Sequence, residues 1–333
     1  MRDELQAPFP WFGGKSRATD LVWPRFGKVE NYVEPFYGSG AMLLGRPNPS
    51  GNETVNDLDG FVANAWRSIK LSPEETATHA DNPVNENDLH ARHSWLVAQR
   101  DTLRARLDGN PDFHDPKIAG FWIWGSCCWI AAGFCSGNGP WQVVDGKLVH
   151  LGSNGRGVKR QRVHLGCNGT GVNRQRVRLG NNGRGVNRQL GIYEWFVQLS
   201  DRMRHVRVCS GDWSRVCGPS VTFKHGTTAV FLDPPYSDTA NRCSDLYSED
   251  SLSVAHDVRL WCIENGDNPL LRIALCGYEG EHEMPCDWEC VEWKTAGGYG
   301  GGPGNQSTEN AKRERIWFSP ACLRPEKAQL SMF

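Results

Sequence analysis

The sequence predicts an α/β fold: a doubly wound sheet with a second, inserted domain near the middle of the chain. Three observations predict it. Short apolar runs ending in glycine or proline turns alternate with helix-patterned stretches at both ends of the chain. A polar linker and a 14-residue repeat separate those two ends. The chain has 333 residues, 39% of them hydrophobic, with 14 Trp and 13 Phe. That is enough for a large core and exceeds the usual domain of ~100–200 residues.

The first α/β zone runs from about residue 8 to 70. Asn31 to Phe36 reads as a strand entering the turn Gly38-Ser39-Gly40, and Ala41 to Leu44 starts a helix. Thr54-Val55-Asn56-Asp57 reads as the end of a second strand. Phe61, Val62, Ala65, Trp66 and Ile69 mark one face of a following helix.

A polar linker is expected from Ser72 to Asn87, then a helix through Trp95, Leu96, Leu103 and Leu107. The aromatic run from Phe121 to Trp129 reads as core, with a wedge into a gap between stacked bases as the other reading. From Val149 the unit Val-His-Leu-Gly-Ser-Asn-Gly-Arg-Gly-Val-Lys-Arg-Gln-Arg recurs at Val163 and Val177. Its glycines disfavour helix, so each copy reads as a short strand plus a turn.

The second α/β zone begins near residue 194. Tyr193 to Val206 reads as a helix. Val230-Phe231-Leu232-Asp233 and Leu271 to Cys276 read as buried strands, and Arg315 to Phe318 as a closing strand. Gly297 to Gly304 reads as a flexible loop able to close over a site or merely to connect.

Four segments carry chemistry. Asp233-Pro234-Pro235-Tyr236 follows an apolar strand at its carboxyl end, where open α/β sheets gather their ligands. A carboxylate and a rigidly aimed Pro234 carbonyl suit the two hydrogens of a delocalised amine, and Tyr236 offers a flat stacking face. Glu34-Pro35-Phe36-Tyr37-Gly38-Ser39-Gly40 stands between a strand and a helix, where glycines let backbone approach a ligand. Asp57, at the end of the next strand, suits two ribose hydroxyls, with Asp59 as a rival. Phe9 to Lys15 joins aromatic rings to Gly-Gly-Lys, which suits a flat ring and a carboxylate.

In this order the segments resemble the Dam-type family of DNA adenine methyltransferases, including its phage members. The resemblance covers about 8–70 and 205–240, extends to about 320, and does not run through 72–192. It implies a Rossmann-like S-adenosylmethionine-dependent methyltransferase fold with an inserted target-recognition domain. Residues 1–71 and 193–333 would form the catalytic domain and 72–192 the insert, with its basic repeats over 149–190. It implies that Trp11, Lys15, Asp57 and Asp233 contact S-adenosylmethionine. The turn supplies Glu34, Phe36, Gly38 and Gly40 to the same site. Asp212, in Cys209-Ser210-Gly211-Asp212-Trp213, would help hold the cofactor adenine. Asp233, Pro234 and Tyr236 would orient and stack the target base.

Charge is segregated. From Gly146 to Tyr193 there are ten Lys and Arg and no Asp or Glu, so with a whole-chain charge of −1 the rest carries −11. Such a segment suits phosphates and guanine edges, and Arg156, Arg160, Arg174, Arg176, Arg184 and Arg188 are the expected contacts. The other reading is a solvated, repeat-expanded loop. The expected partner is double-stranded DNA, with the protein a monomer or weak dimer and no membrane association. The N-terminus lacks an apolar leader pattern and no run reaches membrane length, so a cytoplasmic location and reduced thiols are expected for the 12 Cys. Cys127-Cys128 and Cys286-x3-Cys290 lack the paired spacing of a zinc site, and no metal is expected. Methylation of the cytosine N4 amine, an RNA substrate, and a DNA-binding protein without catalysis are the rival functions. A role in restriction-modification follows only by analogy to phage members.

Overall fold

The computed structural model describes residues 5–11, 15–129, 134–135, 191–235, 253–293 and 313–325, and the backbone of 141–144 and 147–150. Tyr236, the Gly297–Gly304 loop, the six expected DNA-contacting arginines and nearly all of the repeat lie outside the described residues.

A seven-stranded sheet organises the chain. Its strands are β1 (Asn31–Glu34), β2 (Asn52–Asp57), β5 (Val206–Ser210), β6 (Thr228–Leu232), β7 (Leu271–Tyr278), β8 (Glu289–Glu292) and β9 (Glu314–Phe318). They lie in the order β5-β2-β1-β6-β7-β9-β8. The first five are mutually parallel, and β9 runs antiparallel to both β7 and β8. The order reverses between β1 and β6, so a crevice opens outside their carboxyl ends. This is the Rossmann-like methyltransferase architecture expected from the sequence.

Both faces of the sheet are buried, which explains why its strands read as continuous apolar runs. Successive side chains alternate between two cores. Tyr32, Ala229, Phe231, Ala274, Cys276, Ile316 and Phe318 face one core; Val33, Val230, Leu232, Ile273, Leu275 and Trp317 face the other. Helices α1 (Thr19–Phe26), α3 (Gly60–Leu71) and α7 (Ile192–Met203) cover the first face, and α8 (Val254–Asn265) contributes Val258 and Cys262 to the second. The single turn α2 (Ala41–Leu44) follows the glycine turn.

Helices α4 (Pro73–Ala80), α5 (Glu86–Gly109) and α6 (Pro116–Cys128) share the first core: Ala77, Leu96, Leu103, Ile118 and Trp122 pack in one cluster with Phe61 and Trp66. The aromatic run therefore lies in α6 as core, with Trp122, Ile123 and Trp124 buried. Where a polar linker was expected, α4 forms instead. Pro73 sits at its first turn, Glu74 and Glu75 favour its positive end, and Thr76, Ala77 and Ala80 form a short buried face. The helix expected to reach Val206 stops at Met203, and Val206 opens edge strand β5. Strands β3 (Trp141–Val144) and β4 (Lys147–His150) pair as an antiparallel hairpin, and the first repeat begins inside β4.

Candidate active site

The loops after β1, β2 and β5 are laced together by one buried side chain. Asn56 Nδ2 donates to the carbonyls of Pro35 (3.1 Å) and Gly211 (2.9 Å). Backbone bonds run beside it, from Tyr37 N–H to Asn56 O and from Gly211 N–H to Asp57 O. The crevice floor is thus fixed by the strand ends themselves.

The glycine turn needs its glycines. Gly38 has φ +47° and Gly40 φ +65°, in the left-handed region. A Cβ on Gly38 would lie 2.3 Å from Trp11 Nε1, and one on Gly40 would lie 2.5 Å from the Tyr37 ring. The Gly38 N–H donates to Asp57 Oδ2 (2.8 Å), and the Trp66 indole N–H donates to Gly38 O (2.9 Å). Trp11 is half-buried among Phe9, Gly38 and Trp122.

Asp57 ends β2 beneath this turn. Its second oxygen accepts the Asp59 N–H at 2.9 Å. Asp59 itself caps α3, accepting from Phe61 N–H, so the rival acid is committed to the helix start. Burial raises the Asp57 pKa to about 7; the charge of Asp59 adds to this, and backbone N–H groups of Gly38, Asp59 and Leu58 oppose it.

Glu34 ends β1 and is 2% exposed. Tyr32 O–H donates to its carboxylate at 2.8 Å. Burial pushes its pKa well up; the Tyr32 bond opposes this, and the nearby Asp233 charge adds to it. Phe36 stacks on Trp213 with centroids 6.3 Å apart and planes at 26°. Asp212 is exposed and caps the short turn Trp213–Val216 through Ser214.

Asp233 follows β6 directly, half-buried, with Pro234 and Pro235 fixing the chain beyond it. Lys15 Nζ approaches Asp233 Oδ2 at 3.0 Å. Lys15, Glu34, Phe36, Met42 and Asp233 share with Trp11 the lining of one cleft. Burial lowers the Lys15 pKa, but the carboxylates of Asp233 and Glu314 outweigh it, and the net shift is upward.

The structure thus brings Trp11, Lys15, Glu34, Phe36 and Asp233 to one cleft that Tyr37 and Ser39 of the glycine turn also line, whereas Gly38, Gly40 and Asp57 lie outside that lining, with Gly38 bonded to Asp57. Asp212 stands farther out, next to Trp213. Sequence reasoning missed Glu314 and Trp293, which approach Lys15 at 3.9 Å and 5.8 Å. The only signal for Glu314 was an acid immediately before an apolar closing strand. Asn56 and Trp66 were read as strand and helix residues, and their bonds across loops carry no local signature.

Among the described residues no three His, Cys, Asp or Glu side chains converge as a metal site would require. No described helix is long and apolar enough to cross a membrane.

A family model, the D12 class N6 adenine-specific DNA methyltransferase, matches residues 11–118. The matched stretch holds Trp11, Lys15, the glycine turn and Asp57; Asp233 lies beyond it. No curated protein matches this chain.

Proposed function

We propose that this chain is a DNA adenine N6-methyltransferase of the D12 class, in which Asp233 and the Pro234 carbonyl orient the adenine amine and the β1–β2 crevice holds the methyl donor. The observation that carries this is the position of Asp233: at the sheet's switch point, in the same cleft as Trp11, Lys15 and Glu34.

S-adenosylmethionine, the methyl donor the family implies, supplies a sulfonium methyl group to the amine's lone pair and leaves as the neutral thioether. The residues present fit it. Glycine at 38 and 40 lets the turn pack against the Trp11 and Tyr37 rings, which both line the cleft. Asp57 can accept ribose hydroxyls on lone pairs not used by Gly38 and Asp59 N–H. Phe36 and Trp213 present a stacked aromatic pair beside the crevice.

Asp233 accepts one amine hydrogen and the Pro234 carbonyl the other, which draws the nitrogen toward tetrahedral geometry and frees its lone pair. The proton shed after transfer passes by way of Asp233 to water. Positioning supplies most of the rate effect. Tyr236, next in the chain, is the proposed stacking partner for a base extruded from the duplex.

Within 72–192, helices α4 to α6 support the catalytic core, and the acid-free stretch 146–193 is proposed to grip phosphates of double-stranded DNA. A monomer acting on one duplex site is proposed. Adenine is preferred over cytosine by the family match.

Asp233→Ala tests the site assignment. Methyl transfer should fall below detection, with S-adenosylmethionine still binding within about tenfold of wild type. A variant that still methylates DNA defeats the assignment.

A further inference from the structure

An antiparallel last strand has a consequence at the catalytic end of the sheet. The parallel strands present their carboxyl ends there, whereas reversed β9 presents its first residue. That residue is Glu314, paired in register with Tyr278 at the carboxyl end of β7. It is 6% exposed.

Lys15 is set between two acids from different strands. Its Nζ lies 3.0 Å from Asp233 Oδ2 and 3.9 Å from Glu314 Oε2, and 5.8 Å from the Trp293 ring centroid. Lys15 itself is 5% exposed. Burying an ammonium is costly unless it is paired.

Asp233 must offer lone pairs to an amine. A buried ammonium held by Asp233 alone would compete directly for them. A second carboxylate, Glu314 at 3.9 Å, gives the ammonium another anchor. It also adds negative charge near a nitrogen that becomes cationic during transfer.

We propose that Glu314 is a positioning residue of the methyl-transfer site: it tethers Lys15 so that Asp233 stays available to the target amine. The inference rests on the reading of Asp233 as the residue that orients that amine.

The groups electrostatically close to this trio are Cys276 and Tyr278 on β7 and Glu34 on β1. Burial raises the Cys276 thiol well above its usual value and Tyr278 to about 12. Glu34 is likewise raised. Neither Cys276 nor Tyr278 is therefore expected to ionise between pH 7 and 9. Removing the charge of Glu314 leaves burial of Lys15 opposed chiefly by Asp233, so the Lys15 pKa falls.

The test compares full-length wild type, Glu314→Gln and Glu314→Asp in single-turnover methylation of duplex DNA from pH 6 to pH 10. Folding is checked by thermal melts and S-adenosylmethionine affinity by calorimetry. Glu314→Gln should lose roughly 10- to 100-fold in rate, the range for a partner that orients a directly acting group. Its rate should rise at alkaline pH, where Lys15 loses its proton and no longer competes for Asp233, and the rise should come at lower pH than in wild type. Glu314→Asp should recover much of the rate and move the rise back toward wild type. A Gln variant with the wild-type rate and profile overturns the proposal. So does loss of folding in both variants, which would make Glu314 purely structural. If wild type itself leaves DNA unmethylated, the underlying reading fails instead.

Discussion

The proposed ribose-binding role of Asp57 would tie cofactor affinity to pH in a way that can be worked from its surroundings. Its carboxylate ends β2, accepts N–H groups of Gly38 and Asp59, and has a pKa pushed up to about 7. The folded value lies above the usual carboxylate range, so the protonated form is the one the fold favours. Its contribution to stability is present below about pH 4 and is lost as pH rises to about 7. The ionised form offers more acceptor lone pairs to ribose hydroxyls than the protonated form and should bind them more tightly. With a pKa near 7, roughly one-tenth of the protein is ionised at pH 6 and roughly nine-tenths at pH 8. S-adenosylmethionine affinity should therefore tighten by up to about tenfold across that interval. Calorimetric titration at pH 6, 7 and 8 measures it. Asp57→Asn has one carbonyl oxygen for two backbone donors, so it loses one hydrogen bond and about 1–3 kcal/mol of stability. It should bind more weakly, and the difference from wild type should grow with pH. A wild-type affinity that follows the same pH curve as Asp57→Asn would refute the reasoning.

Two further outcomes follow from the same geometry. Gly38→Ala puts a Cβ 2.3 Å from Trp11 Nε1 at a left-handed backbone position; it should cost about 1–2 kcal/mol from the backbone alone and displace Trp11. Thermal melts and S-adenosylmethionine titration read both effects, and unchanged affinity would remove Trp11 from the site. Replacing Arg174, Arg176 and Arg178 together by Ala should weaken duplex binding. It should flatten log Kd against log salt by about 2.7 if all three meet phosphates. An unchanged slope would return the repeat to a solvated loop.

What the sequence made legible was local. Gly38 and Gly40 are readable because they form the turn between a strand and a helix close together in the sequence. Asp233 is readable because a buried strand ends in two prolines. Asp57 is readable from its distance past the turn, although the choice between Asp57 and Asp59 needed the α3 cap. The unread parts depend on encounters between distant segments. Asn56 joins loops 155 residues apart, and Glu314 meets Lys15 only because β9 is reversed. Helix α4 was missed because its buried face is made of Thr76, Ala77 and Ala80, which barely register in an apolar pattern. The aromatic run was readable as core because Trp122 and Ile123 sit among apolar neighbours on a helix that packs against α3.

The central claim is that the amine held by Asp233 belongs to adenine. Duplex DNA incubated with the purified chain and methyl-labelled S-adenosylmethionine, then digested to nucleosides and separated by mass, tests it most directly. The account predicts label in N6-methyladenine, and none after Asp233→Ala. Label in N4-methylcytosine, or N6-methyladenine that persists in the Ala variant, would contradict it.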